Sequence, residues 1–316
     1  MPQEGLPKSI EAQSSFEEQF SHKEKRMLPG RMADITDISP DHPKDGAVLL
    51  APGWSQTANV YKPAMEELVK RERRVVSLDH PRRGGDMSAA PQEALEKYPT
   101  EEVRKAMNLL ELLRQKDLKN MNVVAHSEGA INAALAAALD TESRIKNIVF
   151  YGPAGMIGED TFTRLLKGFA GQMKRAKSLS AAEGRPEIPK TETEKQVAAT
   201  AATECLKYLL KNPVRALKEG LAISDTRSQI HEMLRYLHEK GVGIVVMAAV
   251  DDPVFPMERT QEIANTDMLD GFVSVRGAHG AIGEHPELFM AGAEEMLTAL
   301  EKKQEKKQQE QGEPSA

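Results

Sequence analysis

One cysteine, Cys205, stands among 316 residues. A lone cysteine closes no internal disulfide, so the chain is no disulfide scaffold and asks for no oxidising compartment. Cys205 lies in Ala201-Ala202-Thr203-Glu204-Cys205-Leu206, where a small apolar side chain is expected rather than a reactive thiol. Aromatic residues are scarce at 4%, which leaves no series of rings on which bases could stack. The formal net charge is −6, so no basic face is offered and no nucleic-acid partner is expected. Apolar runs are strand-length, far short of the ~20 residues that span a bilayer. The opening Met1-Pro2-Gln3-Glu4-Gly5 is followed by no apolar stretch; no secretory signal is read and a cytoplasmic location is expected. The histidines show no metal-binding spacing and there is no glycine-rich phosphate loop, so neither metal nor cofactor is expected.

What is present is a rhythm. The length suits one large domain or two small ones, and 40% hydrophobic with 28% charged residues is ordinary for a globular chain. Residues 1–45 read as a polar segment, loose over 1–20, with edge strands between Phe20 and Ser39 about a turn at Pro29-Gly30. Ala47-Val48-Leu49-Leu50-Ala51 is a wholly apolar run that stops at Pro52-Gly53, as a buried parallel strand does. A helix from Tyr61 follows, with Pro63 in its first turn. Similar strands are predicted at Arg74–Leu78, Met121–Ala125 and Ile145–Tyr151, with helices at Glu101–Lys116 and Ala130–Leu139 between them. This alternation predicts a parallel sheet with right-handed crossovers.

The rhythm breaks over 157–240, which reads as helix and loop, with a loop from Ser180 to Glu194. Strands return at Val242–Val250 and Gly271–Val275, then a helix at Pro286–Lys303. The expected organisation is a core of 46–156 and 241–303, a helical cap of 157–240, and a disordered polar tail of 304–316. An insertion so placed can cover the strand ends where ligands bind in such sheets. Arg164 to Lys177 is basic with an apolar stripe, as interfacial helices are. Packing of that stripe on the domain is expected ahead of membrane contact by this cap helix.

Ser127 closes the third core strand in Val123-Val124-Ala125-His126-Ser127-Glu128-Gly129. A serine hydroxyl attacks only when a base takes its proton and the backbone projects it. A sharp strand-to-helix turn does the second, and it needs small residues around the serine. Gly-x-Ser-x-Gly is the usual form of that elbow; Ala125 replaces its first glycine and Gly129 keeps the second. For the base, His279 lies in the glycine-flanked loop Arg276-Gly277-Ala278-His279-Gly280 after the last strand. His285, at the start of the last helix, is the weaker candidate. For the orienting acid, Asp251 and Asp252 both follow the strand ending at Val250; Asp252 is preferred. A carboxylate there would fix the imidazole tautomer and stabilise its charged form. The order serine, aspartate, histidine is the order of one hydrolase fold. The oxyanion needs preorganised donors. The backbone N–H groups of Glu128 and Trp54 are placed for this, with Gly53 allowing close backbone approach. Gly53, His126 and His80 are candidate substrate contacts.

The chain resembles the α/β-hydrolase superfamily, in its cap-bearing branch, over roughly residues 46–300. Leu49-Leu50-Ala51-Pro52-Gly53-Trp54 resembles the family's strand followed by His-Gly-x, with proline in place of the histidine. Leu78-Asp79-His80-Pro81-Arg82-Arg83-Gly84-Gly85-Asp86-Met87-Ser88 resembles its Asp-x-Arg-Gly-x-Gly-x-Ser turn at altered spacing. Val250-Asp251-Asp252-Pro253-Val254-Phe255-Pro256 resembles its Gly-x-x-Asp-x-x-x-Pro segment and favours Asp252, four before Pro256, although Ala249 replaces the glycine. Gly277-Ala278-His279-Gly280 resembles its histidine loop. The resemblance implies an α/β fold with a mostly parallel central sheet flanked by helices. It also implies hydrolysis of a small-molecule acyl compound through Ser127, His279 and Asp252. Carbon–carbon bond hydrolysis or acyl transfer by the same residues is the alternative reading. A non-catalytic binding protein on the same fold is the third. Oligomeric state is left open.

Overall fold

The computed structural model describes residues 8–81, 86–182, 191–264 and 268–312. Its centre is an eight-stranded sheet in the order β1-β2-β4-β3-β5-β6-β7-β8. The strands are β1 Glu24–Leu28, β2 Arg31–Ile38, β3 Val48–Ala51, β4 Val75–Asp79, β5 Met121–His126, β6 Ile145–Tyr151, β7 Gly243–Ala249 and β8 Gly271–Val275. β1 and β2 form the antiparallel edge, and β2 also runs antiparallel to β4. All other pairs are parallel. The edge hairpin turns at Pro29-Gly30, where Gly30 has φ +70°, a conformation glycine adopts without steric cost. This mostly parallel sheet flanked by helices is the architecture expected from the sequence.

Side chains alternate across the sheet, as the two-residue strand period requires. Leu49, Ala51, Val123 and Ala125 face one core; Val48, Leu50 and Val124 face the other. The first core is covered by α4 Thr100–Gln115, α5 Glu128–Leu139 and α9 His231–Glu239. The second is covered by α1 Lys8–Ser21, α2 Lys62–Lys70 and α12 Pro286–Gly312. The short α3 Gln92–Lys97, α10 Met257–Ala264 and α11 Ala281–Glu284 complete the crossovers. The insertion after β6 comprises α6 Phe162–Ala182, α7 Glu192–Lys211 and α8 Pro213–Ile223. A capping box starts α7: the Thr191 hydroxyl accepts from Glu194 N–H, and the Glu194 carboxylate accepts from Thr191 N–H.

Three expectations are corrected. Residues 8–21 are helical, because Phe16 and Phe20 lie one turn apart and both bury against the sheet. Residues 304–312 continue α12: Gln304 Nε2 donates to the Lys146 carbonyl at 2.9 Å, and the Lys/Glu/Gln run that follows favours helix. The expected cap boundary at 240 is too late, since Met233, Leu234 and Leu237 of α9 bury in the sheet core. The expected loop at 180–194 falls largely on 183–190, outside the described residues, as do Arg82–Gly85 of the turn motif. No helix among the described residues is long and apolar enough to cross a membrane.

Candidate active site

Ser127 lies between β5 and α5, at the N-cap of α5, with φ 56° and ψ −124°. A serine in this region is strained, and the surrounding structure must hold it there. Three backbone bonds do so. Ser127 N–H donates to the Tyr151 carbonyl at 3.1 Å, and Ser127 O accepts from Ala130 N–H at 3.0 Å and Ala154 N–H at 3.1 Å. The glycine two residues on is fixed by packing rather than by crowding against Ala125. A Cβ on Gly129 would lie 2.3 Å from the Ala51 carbonyl oxygen. A Cβ on Gly53 would lie 3.0 Å from that of Ser127, so the loop after β3 passes directly over the serine. The Ser127 side chain makes no hydrogen bond among the described residues.

His279 and Asp252 are brought together. His279 Nδ1 lies 2.7 Å from Asp252 Oδ2, and both side chains are buried. The other carboxylate oxygen accepts from Val254 N–H at 2.7 Å and Phe255 N–H at 2.9 Å. Both oxygens are thus directed, and the imidazole is left with Nε2 facing away from the acid. Gly152, at φ 47°, makes room: a Cβ there would lie 3.0 Å from Asp252 Oδ2. Asp251 is half-buried, and His285 points elsewhere, its Nδ1 lying 3.3 Å from Glu194 of α7.

His126 does not face a substrate, contrary to the sequence reading. Its Nε2–H donates to the His279 carbonyl at 2.9 Å, and its Nδ1 lies 2.6 Å from the Tyr61 hydroxyl, which also bonds Gln56 Oε1. Burial and the nearby His279 hold the His126 ring neutral, well below the usual histidine range. Tyr61 Oη in turn accepts from Gly53 N–H at 2.9 Å. One chain of hydrogen bonds therefore ties the loop over the serine to the loop that carries His279. Tyr151 adds a second tie, donating to the Ala278 carbonyl at 2.9 Å and stacking on His126. Tyr61, Tyr151 and Gly152 carry no local sequence signal for these roles.

The backbone N–H groups of Trp54 and Glu128 have no partner among the described residues. Glu128 opens α5, whose N-terminus carries partial positive charge toward Ser127. The Trp54 ring is half-buried against Phe169 of α6, centroids 5.7 Å apart. Phe169 also meets the His279 ring edge-on at 6.1 Å. The insertion thus reaches over the serine and histidine loops. Leu165 of the same helix is buried; beyond Gln172 the side chains of α6 lie outside the described residues.

A cavity of about 240 Å³ adjoins this centre. Gly53 and Glu128 line it, although Ser127 does not. So do His80, Lys105, Arg215 and Glu219. Both His80 ring nitrogens and Arg215 Nη1 are buried there without a partner among the described residues. Burial, then Lys105, Arg104 and Arg215, hold His80 neutral. The sequence named His80 and Gly53 for this region but missed Lys105, Arg215 and Glu219, which come from two separate helices, α4 and α8. No cluster of metal-ligating side chains occurs among the described residues.

The sheet order and the residues at its strand ends define an α/β-hydrolase-fold protein. Residues 46–182 match the family model described as the alpha/beta hydrolase fold. No curated protein matches it significantly. Among solved structures it is similar to a thermophilic esterase from Thermogutta terrifontis, with 17% identity, 88% of this chain and 99% of that one covered, and a TM-score of 0.59. It is similar to the enol-lactonase from Burkholderia xenovorans LB400, with 17% identity, coverage of 87% and 100%, and a TM-score of 0.57. It is also similar to a bromoperoxidase from Bacillus anthracis, with 16% identity, coverage of 88% and 100%, and a TM-score of 0.55. At such identities the likeness is one of fold.

Proposed function

We propose that the protein is a serine hydrolase acting on a carboxylic ester or related small acyl compound. The observation that carries this is the His279–Asp252 pair at 2.7 Å, set at the strand ends beside a serine strained to φ 56°. In the reaction, Ser127 Oγ attacks the acyl carbon and His279 Nε2 takes its proton. Asp252 holds the ring in the tautomer that leaves Nε2 free and stabilises the charged imidazole. The Glu128 and Trp54 amides receive the oxyanion. Collapse expels the alcohol, to which His279 returns the proton. Water then attacks the acyl-enzyme by the same route and releases the acid. The serine–histidine hydrogen bond is one that tightens with substrate, as apo sites of this kind allow.

The cavity beside Gly53 takes a polar part of the substrate, with the His80 ring nitrogens and Arg215 Nη1, unpartnered among the described residues, to meet it. The insertion α6 to α8 acts as the cap, with Phe169 as its contact to the site. A fluorophosphonate probe tests the assignment. Wild-type protein is expected to label at Ser127, and Ser127→Ala to abolish labelling while the fold is kept. Labelling that persists in Ser127→Ala, or none in folded wild type, would overturn it.

A further inference from the structure

The outer face of α7 and α8 carries a pattern the fold does not use. Between Leu206 and Leu221 the exposed positions number ten: seven are apolar and three are lysines. None is acidic. Leu206 and Leu210 on α7, and Val214, Leu217 and Leu221 on α8, recur at helical spacing within each helix, and Leu210 is 73% and Val214 69% exposed. Lys207, Lys211 and Lys218 flank it. The acids of the segment are turned inward. Glu204 accepts from the Thr57 hydroxyl at 2.7 Å, and Glu219 is buried among Arg104, Lys105 and Arg215.

Leaving such leucines in water forgoes about 25 cal/mol for each Å² of apolar surface, and contiguous apolar patches of this kind mark interaction surfaces. The charges decide the partner. A second copy meeting the same face would set lysine against lysine, since a two-fold interface is built from one self-complementary patch. A bilayer bearing anionic headgroups offers both complements at once, acyl chains for the leucines and negative charge for the lysines.

We infer that the α7–α8 hairpin docks on an anionic lipid surface, its leucine stripe seated at the headgroup–acyl boundary and its three lysines on the headgroups. The inward face of the same α7 holds Thr57 and Asn59, in the loop that follows Trp54, through Glu204. Docking therefore places the loop over Ser127 one helix away from the lipid. This inference stands on the surface alone and does not require the hydrolase reading.

Sedimentation of the full chain with vesicles tests it. The protein is expected to pellet with vesicles of phosphatidylcholine and phosphatidylglycerol in equal parts, and little with phosphatidylcholine alone. Added salt should release it, because screening shortens the reach of the lysines. Each lysine near an anionic surface contributes about fivefold in partitioning. The combined K207E, K211E and K218E variant should thus lose roughly a hundredfold or more. Leu206→Asp with Leu210→Asp should lose binding through the apolar side. All five positions are exposed, so native thermal unfolding is expected, and if one variant fails to fold the other carries the test. No pelleting with anionic vesicles, or pelleting that survives both variants, would overturn the inference. So would a dimer in ultracentrifugation that Leu210→Asp dissolves, with no vesicle binding.

Discussion

At Ser127 the chain spends conformational energy to aim one hydroxyl, and its neighbours keep that hydroxyl and the base in register. His126 is the centre of this arrangement. It adjoins the serine in sequence, yet it bonds Tyr61 on one side and the His279 carbonyl on the other. Tyr61→Phe removes the acceptor of Gly53 N–H and the hydroxyl beside His126 Nδ1 together. A buried donor left without a partner costs about 1–3 kcal/mol, a loss the fold should survive. The chemistry should suffer more, because small misplacements at a reacting centre cost up to about a hundredfold. The expected outcome is a ten- to hundredfold fall in kcat and in the rate of fluorophosphonate labelling, with KM nearly unchanged. Unchanged kcat and labelling rate in a folded variant would remove Tyr61 and His126 from the positioning of His279.

At the scale of elements, α1 shows how little apolar surface secures a helix to a sheet. Phe16 and Phe20 stack at 5.8 Å, and Lys62 lies 5.1 Å from the Phe20 ring centre. Gln19 closes the arrangement by bonding both backbone groups of Ser39. Phe20→Ala should destabilise the protein by about 3 kcal/mol, measured by urea unfolding. A change near zero would mean that α1 does not hold to the sheet in solution. The core strands were legible because a strand buried on both faces must be apolar throughout, as Val48–Ala51 and Val123–Ala125 are. Ser127 and Asp252 could be proposed because each follows such a strand, and His279 because it lies in a glycine-flanked loop after the half-buried β8. α1 was not, since two phenylalanines in a polar segment make a weak period. The layer of α9 was not either: an apolar stripe says that a helix packs, not on which layer. The bond from His126 to the His279 backbone joins residues 153 positions apart, and no local pattern announces such a pairing.

At the scale of the molecule, a buried charge cluster fastens the insertion to the core. Arg104 and Lys105 of α4 meet Glu219 of α8 at 3.3 and 3.4 Å, and Lys105 meets Glu128 of α5 at 2.5 Å. Tyr208 of α7 donates to Glu219 at 2.5 Å, and Arg215 reaches it at 2.8 Å. Burial pushes the Glu219 carboxyl up, but Lys105 and Arg215 outweigh it and hold it down at about 2. Its contribution is present above the unfolded value of 4.5 and lost as pH falls through about 2. Glu102, beneath the cluster with Asn132 on one oxygen, behaves in the opposite sense. Burial, then the neighbouring Glu128, raise it well above 4.5. Above pH 4.5 the folded state keeps a proton that the unfolded state has released. Stability from this group is therefore complete below that pH and falls as pH rises toward the folded value, by at most about 1.4 kcal/mol per pH unit. Glu102→Gln mimics the protonated side chain and removes its titration. Urea unfolding across pH should show the variant matching wild type in acid and gaining on it steadily as pH rises past 4.5. A variant that is less stable than wild type at neutral pH would mean that Glu102 is ionised in the folded cluster, a third anion among Arg104, Lys105 and Arg215.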